Sequence, residues 1–125
     1  MHGNGPATVL VANVTSLKGA WQTLRLEQVD LLILQEVRMS AVELHKLAAD
    51  ANCQLVHGAE VEGEILVAVL AWKGSLAKVA KCPSGQAHHC RWQMGGQFMG
   101  IRNGYFQGGT QQERDASDKV RADWL

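Results

Sequence analysis

The sequence predicts a mixed α/β fold: α/β in its first half and antiparallel in its second (α+β). Three observations carry this. Two continuously apolar runs, Val9-Leu10-Val11-Ala12 and Leu31-Leu32-Ile33-Leu34, are separated by a stripe of helical period. A second helical stripe follows. From Ile65 onward, strand-like segments alternate with glycine turns. The order strand–helix–strand–helix followed by antiparallel strands accounts for all three.

The elements follow in order. An apolar run without alternation, such as Val9–Ala12, is the mark of a strand covered on both faces. Leu17, Ala20, Trp21 and Leu24 fall at i, i+3, i+4 and i+7, which sets an amphipathic helix with Thr15 or Ser16 as its N-cap. Leu31–Leu34 is the second apolar strand. Ser40-Ala41-Val42-Glu43 is a capping box, with Leu44, Leu47, Ala48 and Ala51 as the apolar stripe behind it. Ile65–Trp72 reads as a buried strand, Lys73-Gly74-Ser75 as a turn and Leu76–Lys81 as the partner strand. Gly95-Gly96, between Arg91–Met94 and Gln97–Tyr105, suits the positive φ angles of a two-residue hairpin. His88-His89 reads as loop before Arg91. Thr110-Gln111-Gln112-Glu113 is a further capping box, with Ala116, Val120 and Trp124 at i, i+4 and i+8. This last stripe reaches Leu125 without a C-cap, so residues 1–125 are expected to form one partial domain, truncated at its C-terminus.

Composition narrows the class. The longest apolar run, Ile65–Trp72, is well short of the ~20 residues that a bilayer-spanning helix requires. No basic segment followed by an apolar core precedes Val9, so the chain is expected to be soluble and intracellular. Three cysteines, Cys53, Cys82 and Cys90, do not suit a disulfide framework and are expected to be free thiols. Cys82, His88, His89 and Cys90 fit no usual zinc spacing and read as loop residues. Trp21 and Trp72 read as core, and Trp92 as a hairpin residue. Twelve Lys+Arg balance twelve Asp+Glu, which removes the simplest case for nucleic-acid binding. The distribution is uneven, however: from Ile65 to Gln112 there are five basic residues (Lys73, Lys78, Lys81, Arg91, Arg102) and no acid. That stretch suits either a phosphate-facing surface or a solvated sheet surface.

One pair of residues stands at the place where open α/β sheets hold ligands, beyond the carboxyl ends of parallel strands. Asn13 closes the first strand and Glu36 the second. Direct pairing in a right-handed strand–helix–strand unit brings them to roughly 5 Å across the ladder. An amide and a carboxylate there are hard oxygen donors suited to Mg²⁺. Strands generally end in polar residues, so geometry alone leaves both as solvated strand ends.

The wording around them is more specific. Val11-Ala12-Asn13-Val14-Thr15-Ser16-Leu17, followed by Leu31-Leu32-Ile33-Leu34-Gln35-Glu36-Val37-Arg38, resembles the N-terminal signature of the endonuclease/exonuclease/phosphatase superfamily. Members include apurinic/apyrimidinic endonucleases, deoxyribonuclease I-like enzymes and the endonuclease domains of non-LTR retrotransposons, and the wording here is nearest the last. Gly63–Trp72 is similar to the family's middle strand. Ile101-Arg102-Asn103-Gly104-Tyr105-Phe106 resembles the strand that carries its phosphate-contacting tyrosine, without the usual proline; Tyr105 is the only tyrosine in the chain.

This resemblance implies a partial four-layer α/β sandwich, with two sheets face to face and helices outside. It implies Mg²⁺ (or Mn²⁺) held by Glu36 with Asn13, and Tyr105 hydrogen-bonded to a phosphate oxygen, these three being the catalytic set. Arg38 and Arg102, within the matching segments, are the expected substrate-binding cations. The expected partner is DNA, nicked by phosphodiester hydrolysis, with no membrane involved. The family's later motifs, Asp-x-Asn beyond the next helix and Ser-Asp-His, do not follow Tyr105. The fragment is therefore expected to lack the water-activating groups, to be inactive alone and to need a C-terminal half. Alternatives are another phosphodiesterase or phosphatase of the same superfamily, a truncated relic and a non-catalytic binding module.

Overall fold

The most apolar strands take the centre of the main sheet, because neither of their faces can be given to water. The computed structural model describes residues 7–25 and 27–106. Strand β1 (Val9–Asn13) leads into helix α1 (Leu17–Leu24), strand β2 (Leu31–Met39), helix α2 (Ala41–Asp50) and a short strand β3 (Gln54–His57). Four further strands follow: β4 (Ile65–Ala71), β5 (Ser75–Lys81), β6 (Ala87–Met94) and β7 (Gln97–Gly104). The expected mixed α/β class holds, with strand–helix–strand–helix giving way to antiparallel strands. Among the described residues, no helix is long and apolar enough to cross a membrane.

The strands form two sheets. The first has the order β1-β2-β4-β3, with β1 parallel to β2 and the other pairs antiparallel. The second is the antiparallel meander β5-β6-β7, its β6–β7 hairpin turning at Gly95, whose φ is +60°. Two clusters make the core. Leu17, Leu44 and Ala48 from the helices pack on Leu32, Leu34, Ala68 and Leu70 of the first sheet. On its other face, Leu31, Val56, Val69 and Ala71 meet Cys90, Trp92 and Ile101 of the second sheet. The described layers are thus helices, sheet and sheet; a fourth layer is not seen among them.

Local rules explain the helices. Ser40 caps α2: its Oγ accepts from Glu43 N at 3.2 Å and lies 3.0 Å from Glu43 Oε1, as the capping box anticipates. Ser16 is the N-cap of α1 but makes no side-chain cap bond. Trp21 and Trp72 pack against the helix-side core, and Trp72 Nε1 donates to Ala51 O at 3.1 Å.

The structure adds to or departs from the sequence reading at several places. Strand β1 is an edge strand rather than one covered on both faces. Leu10 and Ala12 pack on the core while Val9 and Val11 remain 40% and 59% exposed. Strand β3 carries no sequence signal of its own and exists through pairing with β4. His88 and His89 lie within β6 rather than a loop, opposite Asn103 and Arg102 of β7. Trp92, within the β6–β7 hairpin, is also a core residue only 5% exposed, with Nε1 donating to Lys73 O at 2.8 Å. The capping box at Thr110–Glu113 and its stripe lie outside the described residues.

The β4–β5 turn depends on Gly74. Its φ is +75°, and a Cβ there would press on the carbonyl oxygen of Gln93 and on Trp92 Nε1. Gly74→Ala is expected to destabilise the fold by about 1–2 kcal/mol, from the left-handed backbone alone, before that contact relaxes. Chemical denaturation compared with Gly96→Ala, where a Cβ meets open space and φ is not positive, checks this.

Candidate functional site at the carboxyl end of β2

The parallel pair β1–β2 brings two strand ends together. The register sets Asn13 opposite Gln35, and Val14 N donates to Gln35 O at 3.0 Å. Glu36 therefore lies one residue beyond the ladder partner of Asn13, rather than directly across from it. Asn13 Oδ1 accepts from Thr15 N at 3.1 Å, a short Asx turn that carries the chain into α1.

Glu36 does not close its strand as expected: β2 continues to Met39, but beyond Gln35 it is irregular. The register with β4 shifts between Gln35 and Met39. Within that bulge Glu36 and Arg38 take φ values of +58° and +54°, and Thr15 at the neighbouring strand end takes +60°. Each such non-glycine residue costs on the order of 1–2 kcal/mol. Three of them gather at one sheet edge, and backbone strain of this kind clusters at sites whose side chains must be aimed. Without the bulge, strict alternation would govern where the carboxylate of Glu36 points.

Tyr105, just past β7, closes on that carboxylate. Its hydroxyl donates to Glu36 Oε1 at 2.5 Å, and its backbone N donates to Gln86 O at 2.8 Å. Arg38 Nη2 lies 3.8 Å from Glu36 Oε1, and Arg38 Nη1 lies 3.5 Å from Glu64 Oε2. The Glu36 side chain is only 14% exposed, so its charge is compensated mainly by these neighbours. The Tyr105 hydroxyl is raised above its usual pKa, first by its hydrogen bond to Glu36, then by burial, against a smaller opposing effect of Arg38.

Glu36, Arg38 and Tyr105, separated by up to 69 positions in sequence, thus meet, with Asn13 on the adjoining strand end. Arg102 does not join them. Along β7, Ile101 and Asn103 are buried while Gly100 and Arg102 are exposed, which puts Arg102 on the outer face of the second sheet. An open groove of about 1050 Å³ lies between α1 and α2. It contains none of these residues, and its lining mixes Lys18, Arg25 and Lys46 with Glu27, Glu43 and Asp50.

Sequence reasoning missed the buried polar group that holds the site together. Asn103 is 2% exposed; its Nδ2 reaches Leu34 O at 3.1 Å, Ala68 O at 3.3 Å and His88 Nε2 at 3.0 Å. Gln35 Nε2 donates to Asn103 Oδ1 at 2.8 Å. One side chain from β7, two residues before Tyr105, therefore ties the middle of β2 and of β4 to the second sheet. Both ends were adjacent to named residues: Gln35 precedes Glu36, and Asn103 lies in the segment that leads to Tyr105. Nothing in their spacing revealed that they would meet.

Hard oxygen donors make the strand end compatible with Mg²⁺. Glu36 supplies a carboxylate and Asn13 an amide oxygen with a second lone pair. Among the described residues no three His, Cys, Asp or Glu side chains converge as a metal cage. Mg²⁺ does not require one, since it usually takes one or two carboxylates, several waters and substrate phosphates. Compared with protein families, curated proteins and solved structures, the chain matches none.

Proposed function

We propose that this chain carries the metal-carboxylate and phosphate-positioning part of a Mg²⁺-dependent phosphodiesterase of endonuclease/exonuclease/phosphatase type, acting on DNA in the manner of non-LTR retrotransposon endonucleases. The observation that carries the reading is the Tyr105 hydroxyl on the Glu36 carboxylate, in a strained bulge of β2 beside the end of β1 at Asn13. It supports the reading because residues from separate segments, each resembling a motif of that superfamily, meet in one place.

In this reading Glu36, with Asn13, would hold the divalent cation. The cation, when bound, would polarise a phosphate oxygen and stabilise the leaving oxygen. Tyr105 now gives its one O–H to Glu36; with the carboxylate engaged on a cation, that hydrogen would turn to a non-bridging phosphate oxygen as negative charge develops there. Arg38 supplies a fixed positive charge beside the same carboxylate and would draw the phosphodiester towards it. Gln35 and Asn103 tie β2 of the first sheet to β7 of the second, so that the carboxylate and the hydroxyl keep their separation. Groups to activate water are not among these residues. The expected behaviour of the 125-residue chain is therefore cation binding with little or no strand cleavage.

Mn²⁺ titration followed by electron paramagnetic resonance tests this. The chain should bind one Mn²⁺ that Mg²⁺ displaces, and Glu36→Gln should weaken it by about tenfold or more, because ligand charge sets affinity for hard cations. Equal binding by the variant would overturn the metal role, as would Mg²⁺-dependent plasmid nicking that persists in Glu36→Gln. Tight Mn²⁺ binding at Glu36 with no affinity for DNA would favour another phosphodiester substrate.

A further inference from the structure

On the side of the molecule where α2 meets β3, two histidines face each other. His45 Nε2 lies 3.1 Å from His57 Nε2, with ring centroids 5.0 Å apart and the rings inclined by 80°. His57 Nδ1 lies 2.6 Å from Gly58 O. A carbonyl can only accept, so Nδ1 of His57 carries the proton and its Nε2 presents a lone pair towards His45. In the structure as it stands, that lone pair takes a hydrogen from His45 Nε2.

The same geometry suits a metal ion. Two imidazoles bound at 2.0–2.1 Å around a tetrahedral cation hold their nitrogens roughly 3.3 Å apart. Right-angled positions of a square-planar or octahedral cation bring them to roughly 2.9 Å. The observed 3.1 Å falls between these values. Imidazoles that bind metal commonly donate the other ring N–H to a carbonyl, which fixes the tautomer, and His57 already does so to Gly58. The neighbouring charges are of both signs: Glu60 on the loop after β3 and Lys81 at the end of β5 both act on His57. Glu60 is itself held in place, with Oε2 accepting from Ala41 N at 2.7 Å.

We infer that His45 and His57 form a two-imidazole site for a borderline divalent transition cation such as Ni²⁺, Cu²⁺ or Zn²⁺, separate from Glu36. To bind, His45 moves its proton from Nε2 to Nδ1 and both Nε2 lone pairs turn to the ion, so no net proton is released from neutral rings. Water completes the coordination, since no third His, Cys, Asp or Glu converges among the described residues. The site belongs to the imidazole-preferring class and is chemically distinct from the hard oxygen donors at the β2 end.

Calorimetric titration with Ni²⁺ alone, at pH 7.5 on the full chain, is the test, paired with nuclear magnetic resonance of the histidine rings. Substoichiometric Ni²⁺ should broaden the His45 and His57 ring signals first, and His45→Ala should weaken that binding by about tenfold or more, since it leaves a single imidazole. His45 is exposed, so this variant is expected to fold; unchanged far-UV circular dichroism establishes that. His57→Gln, which loses the other Nε2, should have the same effect. Ni²⁺ affinity equal in His45→Ala and the parent chain would overturn the inference and leave the pair as a ring-to-ring hydrogen bond. First broadening at other histidines would do the same.

Discussion

Asn103→Ala is expected to lower the unfolding free energy by about 3 kcal/mol, although the residue is a single amide near the end of a strand. Its side chain serves Leu34 O, Ala68 O, His88 Nε2 and the Gln35 amide together. Truncation leaves these groups short of a partner in a place nearly closed to water. Each buried group so orphaned costs about 1–3 kcal/mol, reduced where a water molecule enters the space. Urea denaturation measures the loss, with Arg102→Ala as control: that neighbour is exposed and should stay within about 0.5 kcal/mol. A loss below about 1 kcal/mol in Asn103→Ala would mean that the two sheets are joined by apolar packing alone. The same variant should weaken Mn²⁺ binding more than Arg102→Ala does, because Gln35 and Tyr105 flank the site through Asn103.

Acid should unfold the protein through His88. The ring is fully buried, its Nε2 meets the Asn103 amide, and its Nδ1 has no hydrogen-bond partner among the described residues. Burial, with the nearby His57, Lys81 and His89, pushes its pKa from the ordinary 6.5 down to about 4. The folded chain thus keeps His88 neutral down to about pH 4, whereas the unfolded chain takes up a proton near pH 6.5. Between these values the unfolded state binds more protons, so stability rises with pH. The contribution is complete above pH 6.5 and lost progressively as pH falls to about 4. At ~1.4 kcal/mol per pH unit the loss across that window is about 3 kcal/mol. His57, also lowered chiefly by burial, adds a loss of the same sign. Urea denaturation at half-unit pH steps should show His88→Gln with a shallower slope than the parent chain, whatever its stability at neutral pH. Equal slopes would place His88 in contact with solvent.

Particular residues show where sequence reading reached and where it stopped. The capping box of Ser40 and Glu43, the stripes of α1 and α2 and the hairpin at Gly95-Gly96 are all visible because each depends on residues within a turn or two. Strand β3 is invisible: four residues, Gln54–His57, become a strand only because β4 supplies a partner edge. The pair His88-His89 reads as loop from its polarity, and becomes strand because Lys81, Ala80, Asn103 and Arg102 supply the ladders on both sides. Val9 and Val11 read as covered on both faces, yet β1 is an edge whose outer apolar side chains meet no second sheet among the described residues.

The candidate site divides in the same way. Glu36 and Tyr105 are recognisable from their local wording, and their contact follows from the meeting of β2 with the end of β7. That Arg102 would face outward follows from simple alternation, once the burial of Asn103 sets the phase of the strand. The one-residue offset of Asn13 from Glu36, by contrast, is a matter of register, and the left-handed bulge that aims Glu36 is a matter of backbone strain. Neither has a short-range signature.

By itself the sequence determined the mixed α/β class, the order of the main elements, the two capped or striped helices and the hairpin. Hydrophobic period, caps and turns act within a few residues, so the local chain is sufficient for them. The tertiary structure alone decided which strand is an edge, that His88 is buried, that Asn103 gathers four groups, and that His45 meets His57. Each of those depends on groups from distant parts of the chain sharing one small volume, where burial, lost hydration and paired hydrogen bonds act together and no local pattern records them.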